Sequence, residues 1–193
     1  MINEKLTRGE YGYINYRKKN LLVKSLIMAA FIIAVIVVGL IIFRTIKNWL
    51  MLPSLLTVIP FANAFSTYLA IFKYKTADAN DYSMVKNFEA AGMLMSDLII
   101  VDADGKRFHS EFGVIYKGGV VLYSSSIDKE KYKPESHLND LFKNRGISMR
   151  AVFFNDWDKF LDRINDLPEC DNNDEKALRN IELAKETIIN TCM

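Results

Sequence analysis

The chain alternates little at first: a short polar stretch is followed by two long apolar segments, and only then by a mixed sequence with helical and strand periods. Ser25 to Phe43 reads SLIMAAFIIAVIVVGLIIF, nineteen residues without a charge. At about 1.5 Å per residue a helix of this length nearly matches a hydrocarbon core of about 30 Å, so it is predicted to span a bilayer. A cleaved leader has a shorter apolar region and a small-residue cleavage motif, whereas this run is long and a second one follows it, which predicts retention. The second segment, Asn48 to Phe72, is also uncharged but carries Thr57, Asn63, Ser66 and Thr67. Pro53 suits the start of its helix, and Pro60 predicts a kink. Asn63, Ser66 and Thr67, with the alanines around them, are predicted to pack against the first helix or a partner copy. There, close approach and interhelical hydrogen bonds replace a hydrophobic drive that lipid does not supply. Only Arg44, Thr45, Ile46 and Lys47 separate the two, so they are predicted to run antiparallel as a transmembrane hairpin within residues 21–73, with spans at 25–43 and 48–72.

After the polar link Thr76 to Asp81, the period changes. Tyr82 to Met95 places Met84, Val85, Phe88, Ala91, Met93 and Leu94 at mostly helical spacing, predicting an amphipathic helix. Leu98 to Val101, Phe112 to Tyr116 and Val120 to Tyr123 are compact apolar runs separated by Asp104-Gly105 and Lys117-Gly118-Gly119, the pattern of a three-stranded antiparallel meander. Pro134 opens a helix with Leu138, Leu141 and Phe142 on its inner side and Gly146 as C-cap. A short strand from Ser148 to Phe154 follows. Asn155 or Asp156 caps a helix carrying Trp157, Phe160, Leu161 and Ile164. Beyond the polar break PECDNND, a last helix over about Asp174 to Asn190 repeats Ala177, Ile181, Ala184 and Ile188. The fold class predicted is therefore a membrane-anchored α+β (α/β) protein: the hairpin, then an α-β-β-β-α-β-α-α domain over 76–193.

Charge divides the chain at the same place. Residues 1–75 hold ten Lys/Arg and two Asp/Glu, net +8, whereas residues 76–193 hold fifteen and twenty-one, net −6. Lys5, Arg8, Arg17, Lys18, Lys19 and Lys24 precede the first span, and Lys73, Lys75 and Lys86 follow the second, against Arg44 and Lys47 between them. That asymmetry predicts a two-pass integral membrane protein with both termini cytoplasmic, residues 1–20 forming a basic segment suited to an anionic leaflet. Trp49, Tyr68 and Tyr74 are placed as interfacial anchors. The acidic distal part disfavours nonspecific nucleic-acid binding, which depends on cationic neutralisation of phosphates. Cys170 and Cys192 are too few for a disulfide framework and fit a reducing compartment.

The stretch SEFGVIYKGGVVLYSSS, followed by KPESHLNDLFKNRGISMRAVFF, resembles the nuclease-related domain family of the restriction-endonuclease-like fold over Glu111 to Phe154. The resemblance implies a strand opened by an acidic residue, a Gly-Gly turn, a strand carrying a second carboxylate and a lysine one position apart, then a proline-led helix and a strand. Glu111 stands at the first acidic position, but Ser124 stands where the second carboxylate belongs and Ser126 where the lysine belongs. Such sites hydrolyse phosphodiesters with carboxylates converging on a divalent cation and a lysine steadying the developing charge, and hydroxyls supply neither charge. The resemblance therefore implies a nuclease-like fold without catalytic residues or cofactor.

Other residues offer an alternative. Asp97, Asp102, Glu111 and Lys117 compose a migrated Mg²⁺ site for a membrane-tethered nuclease or phosphodiesterase, although Asp102 and Asp104 suit a turn equally well. His109 and Glu111 share a face if the strand alternates regularly, giving either a two-ligand site or a solvated polar face. The triplet Ser124-Ser125-Ser126 offers hydroxyls and amides for a phosphate, making Ser124 and Ser126 ligand-binding candidates, with an ordinary polar strand end or loop as the simpler reading. His137 is assigned to the surface. No GxxxxGK, GxGxxG, HExxH or CxxC pattern occurs. The leading expectation is a membrane-anchored binding or scaffolding domain that meets the lipid bilayer, a further copy through its hairpin, and an unidentified protein or ligand. A small pore-forming or transport protein built on the polar second span is the remaining class.

Overall fold

The computed structural model describes residues 5–44, 49, 51–88, 92–102, 104–126, 134–168 and 174–193. The residues Thr45, Ile46 and Lys47 between the apolar segments, Ala91, and Cys170 with most of the polar break around it lie outside the described residues. The chain divides into two compact units, one of Met1–Tyr13 with Thr76–Met193 and one of Ile14–Lys75.

The second unit is built on two helices. Helix α1 runs Tyr13–Phe43 and α2 runs Met51–Ile71, with Pro60 inside it. Both are long and apolar enough to cross a membrane. Their large side chains are not core-forming: Ile41 and Ile59 are each 72% exposed, and Ile27 64%. A soluble protein's core helix buries such residues, whereas a bilayer accepts them on every face. Helix α1 is longer than the uncharged run and carries twelve further residues before Ser25. Thr57 and Thr67 donate their hydroxyls to the carbonyls of Pro53 and Asn63, 2.8 Å in each case, so these polar groups are satisfied within α2.

In the other unit, helix α3 (Ala79–Lys86) precedes strands β1 (Met93–Val101), β2 (Arg107–Tyr116) and β3 (Gly119–Tyr123). Helix α4 (Pro134–Asn144) then leads to β4 (Arg150–Phe154), followed by α5 (Trp157–Asn165) and α6 (Glu175–Thr191). One mixed sheet has the order β1-β2-β3-β4: the first three strands form the antiparallel meander, and β4 lies parallel to β3 after the crossover through α4. Helices cover both faces. Leu138 and Phe142 of α4 and Ile181, Ala184 and Ile188 of α6 pack with Leu98, Ile100, Ile115, Leu122 and Phe153. Val85 of α3 and Phe160 and Ile164 of α5 pack on the opposite side with Phe112, Val114 and Val121. Asp78, Asp156 and Asp174 cap α3, α5 and α6 by accepting hydrogen bonds from first-turn amides, the usual way of satisfying a helix's free N–H groups.

The expected helix over Tyr82 to Met95 is shorter. It stops at Lys86, and Met93, Leu94 and Met95 pair with Ile115, Val114 and Gly113 as the start of β1. Gly92 makes that entry possible, since a Cβ there would collide with the Ile115 carbonyl. Met84, placed on the inner face by its spacing, is 50% exposed.

Both sheet edges are met by other parts of the chain at particular points. On the β1 edge, the Ser96 amide donates to the Gly9 carbonyl at 2.8 Å, and the Met193 amide donates to the Ile99 carbonyl at 2.9 Å beside a bridge of Ile100 with Cys192. The N-terminal residues are therefore a strap: Tyr11 stacks on Tyr82 at 4.1 Å and donates its hydroxyl to the Ala77 carbonyl at 3.1 Å, and Arg8 reaches the Ile189 carbonyl. Thr76 donates to Asp97 Oδ2 at 2.8 Å. Residues on either side of the long apolar insertion are thus held side by side. On the β4 edge, the Asn139 side chain of α4 imitates a neighbouring strand: its Oδ1 accepts from the Ala151 amide at 2.7 Å and its Nδ2 donates to the Ala151 carbonyl. Unpaired edges invite association, so both devices favour a discrete domain.

Two outcomes follow from these edges. Asn139→Ala strands two polar groups of buried Ala151 and should cost about 1–3 kcal/mol in chemical denaturation. A soluble chain that joins Tyr13 to Thr76 through about eight Gly/Ser residues should be monomeric in sedimentation. Residues 76–193 alone, with the Ser96 edge uncovered, should melt lower and self-associate.

Candidate functional site

The predicted residues do not gather at one place, and the reason begins at Asp97. Regular alternation puts residues an odd number apart on opposite faces. Met95 and Leu98 nevertheless share one core, because Asp97 between them has φ +54°, in the left-handed region. On β2, Phe108 belongs to that same core but Phe112, four residues on, belongs to the other. Both strands change face at the level where Asp97 and Glu111 oppose each other, between the pairs Ser96 with Phe112 and Leu98 with Ser110. Ser110, fully buried, covers the irregularity by sharing its hydroxyl between the carbonyls of Phe112 and Tyr123, at 2.8 and 3.0 Å.

The side chains then part company. Asp97 is 2% exposed and turns to Thr76 in the strap region. Its charge also raises the pKa of Tyr11, behind the larger effect of burial. Glu111 turns to the end of β3: its Oε1 accepts from the Ser125 hydroxyl at 2.5 Å and its Oε2 from the Ser125 amide at 3.4 Å. Asp102 is a turn residue, its Oδ1 accepting from the amides of Asp104 and Lys106 at 3.0 and 2.8 Å. Lys117, at the other end of β2, pairs with Asp174 at 2.5 Å and holds that carboxyl below its usual range. His109 is 4% exposed, which corrects the expectation of a solvated face shared with Glu111: the change of face removes the alternation on which it rested.

The candidates that do come together lie at the corner where β3 and β4 end. The Ser124 amide extends the parallel pairing by donating to the Phe154 carbonyl at 2.9 Å. Ser124 is fully buried, and its hydroxyl lies 3.3 Å from that of Ser126. Ser125 holds Glu111, and Asp156 stands at the head of α5 with its carboxyl lowered by Lys159. Beneath them is an aromatic floor: Tyr123 lies 5.0 Å from Trp157 and 5.3 Å from Phe160, with Phe112 5.8 Å from Trp157. Burial raises the Tyr123 pKa, and Glu111, Asp81 and Asp156 raise it further.

These groups do not fit the divalent cation that the nuclease resemblance implies. Ser125 engages both oxygens of Glu111, Asp156 is committed to its cap and to Lys159, and the neighbouring donors are neutral hydroxyls. Among the described residues, no group of three or more His, Cys, Asp or Glu is arranged to hold a metal. The hydroxyls and carboxyls described at the corner can exchange hydrogen bonds with a polar group.

Several contributors escaped the sequence reading. Within the serine triplet it is Ser125 that holds Glu111, whereas Asn139, Tyr11 and Gly9 drew no attention. Thr7-x-x-Glu10 did carry a signal, the capping-box spacing, and Glu10 indeed accepts from the Thr7 amide and hydroxyl at 2.8 and 2.6 Å. Cys192 is buried, which pushes its thiol up to about 12 and leaves it unreactive near neutrality.

Scans against protein-family models, the curated proteins and the solved structures each found no match for this chain.

The coupling of Glu111 to Tyr123 is measurable. Glu111→Gln should lower the Tyr123 pKa while leaving it above the ordinary phenol value, because burial is the larger cause. Ring-labelled tyrosine NMR, with Tyr123→Phe for assignment, reads the shift; an upward or absent change would refute the contact.

Proposed function

We propose that this chain is a two-pass membrane protein whose α+β domain serves as a binding or scaffolding module, built on a degenerate nuclease-like core. The observation that carries this reading is the company of Glu111. Its two oxygens are taken by the hydroxyl and amide of Ser125, while Ser124 and Ser126 occupy the positions aligned with a carboxylate and a lysine. The separate engagements of Asp97, Asp102 and Lys117 support the same reading, since catalysis of phosphodiester cleavage needs charged groups aimed at one phosphate.

The anchor part of the reading is supported by two helices whose apolar surfaces are open to their surroundings. Six Lys/Arg against two Glu precede the uncharged run at Ser25, and Lys73 and Lys75 follow α2 directly, which favours a cytoplasmic position for both termini. The partner would be a protein or other ligand meeting the domain at the bilayer surface, and its net negative charge argues against a nucleic acid.

Full-length protein reconstituted in phosphatidylcholine nanodiscs provides the test. With Mg²⁺ or Mn²⁺ present, cleavage of DNA and RNA should not exceed that of the Glu111→Ala variant. Robust cleavage lost on that substitution would overturn the proposal in favour of a membrane-tethered nuclease.

A further inference from the structure

The unit Ile14–Lys75 contains eight Lys/Arg and not one carboxylate, so its charge is uncompensated from within. Six of the eight, Arg17, Lys18, Lys19, Lys24, Lys73 and Lys75, belong to one end: the start of α1 and the residues just after α2. Helix α1 of 31 residues is about 46 Å long, against about 30 Å of hydrocarbon. Its uncharged run begins at Ser25, so Tyr13 to Lys24 make about 18 Å of helix outside the acyl chains, through the headgroup layer and beyond. Helix α2 ends at Ile71, and the residues that follow it, with Lys73 and Lys75, lie beside Lys18 in the part of α1 that precedes its uncharged run.

The two pieces are stitched together. Lys18 donates its ammonium to the Tyr74 carbonyl and lies 5.9 Å from the Phe72 ring centre, while Lys73 lies 4.9 Å over the Tyr74 ring. Lys18 is thus a positioning residue, occupied in holding residues 72–74 against α1. Lys19, Lys24, Lys73 and Lys75 are exposed. Several exposed ammonium groups on a preformed frame, just outside the uncharged spans, are suited to neutralise a layer of negative charge.

We infer that the first turns of α1 and the segment after α2 form a cationic collar that recruits phosphate-bearing anionic lipids around the protein. The inference rests on the membrane reading above and adds the chemistry of the lipid partner. Each juxtamembrane cation at an anionic surface is worth about fivefold in association, and the effect fades within a Debye length of about 3 Å at 1 M salt. Lys18→Met should loosen the collar through its frame without removing an exposed cation.

The test uses full-length protein in mixed vesicles of phosphatidylcholine and phosphatidylglycerol with spin-labelled lipids of either headgroup. Phosphatidylglycerol should be immobilised by the protein several-fold more than phosphatidylcholine, and the preference should collapse toward parity at about 1 M salt. The variant Lys19→Gln, Lys24→Gln, Lys73→Gln, Lys75→Gln should lose the preference, and the same four positions changed to Arg should keep it, with equal helix content by circular dichroism. Equal immobilisation of both lipids by the wild type would overturn the collar while leaving the anchor intact. Loss of the preference with about 10 mM inorganic phosphate at constant ionic strength would overturn it too, by indicating a site for free phosphate. Protein that stays monodisperse without detergent or lipid would remove the membrane reading and this inference together.

Discussion

The hydrogen bond from the Ser96 amide to the Gly9 carbonyl joins parts of the chain that the apolar insertion separates in sequence. Its physical basis is the demand that backbone polar groups find partners wherever water is excluded. An edge strand offers a row of such groups, and β1 has its row met at one point by the strap and further along by the last residues of the chain. The β1 edge is consequently covered by Gly9 and by Cys192 and Met193. With Tyr11 against Ala77 and Thr76 against Asp97, the residues flanking the insertion are anchored to the sheet rather than left as tethers. The same demand operates within the apolar helices, where every backbone group must be paired locally, and a helix is one of the few structures that can do so in lipid.

A second constraint, the change of face at Asp97 and Glu111, shapes the chemistry. Two carboxylates directly opposite on antiparallel strands repel one another. The left-handed conformation at Asp97 turns that residue toward Thr76, while Glu111 meets Ser125. What looks in sequence like a cluster of acids becomes two separate structural contacts. The inversion also keeps each strand's apolar residues inside, since Met95, Leu98 and Ile100 stay in one core and Phe112 and Val114 in the other.

The corner at the ends of β3 and β4 and the cationic end of the helical unit differ sharply in charge. The first is polar and carboxylate-rich over an aromatic floor, with its charged groups committed to neighbours. The second has exposed cations with no carboxylate in its own unit. The binding role and the lipid preference proposed above draw on these two separate charge distributions.

Much of the architecture was legible from local pattern alone. The two apolar segments, the meander, the proline-led helix with Gly146 behind it, the strand ending at Phe154 and the amphipathic last helix all follow from period, turn formers and caps, which act over a few residues. The boundary between α3 and β1 was not legible: Met93 to Met95 fit a helical period, and their pairing with β2 depends on residues about twenty positions away. The same holds for buried His109 and for the roles of Ser125, Asn139 and the strap. Each is decided by which distant backbone group needs a partner or which face a strand presents after an inversion, and such needs exist only once the sheet has formed.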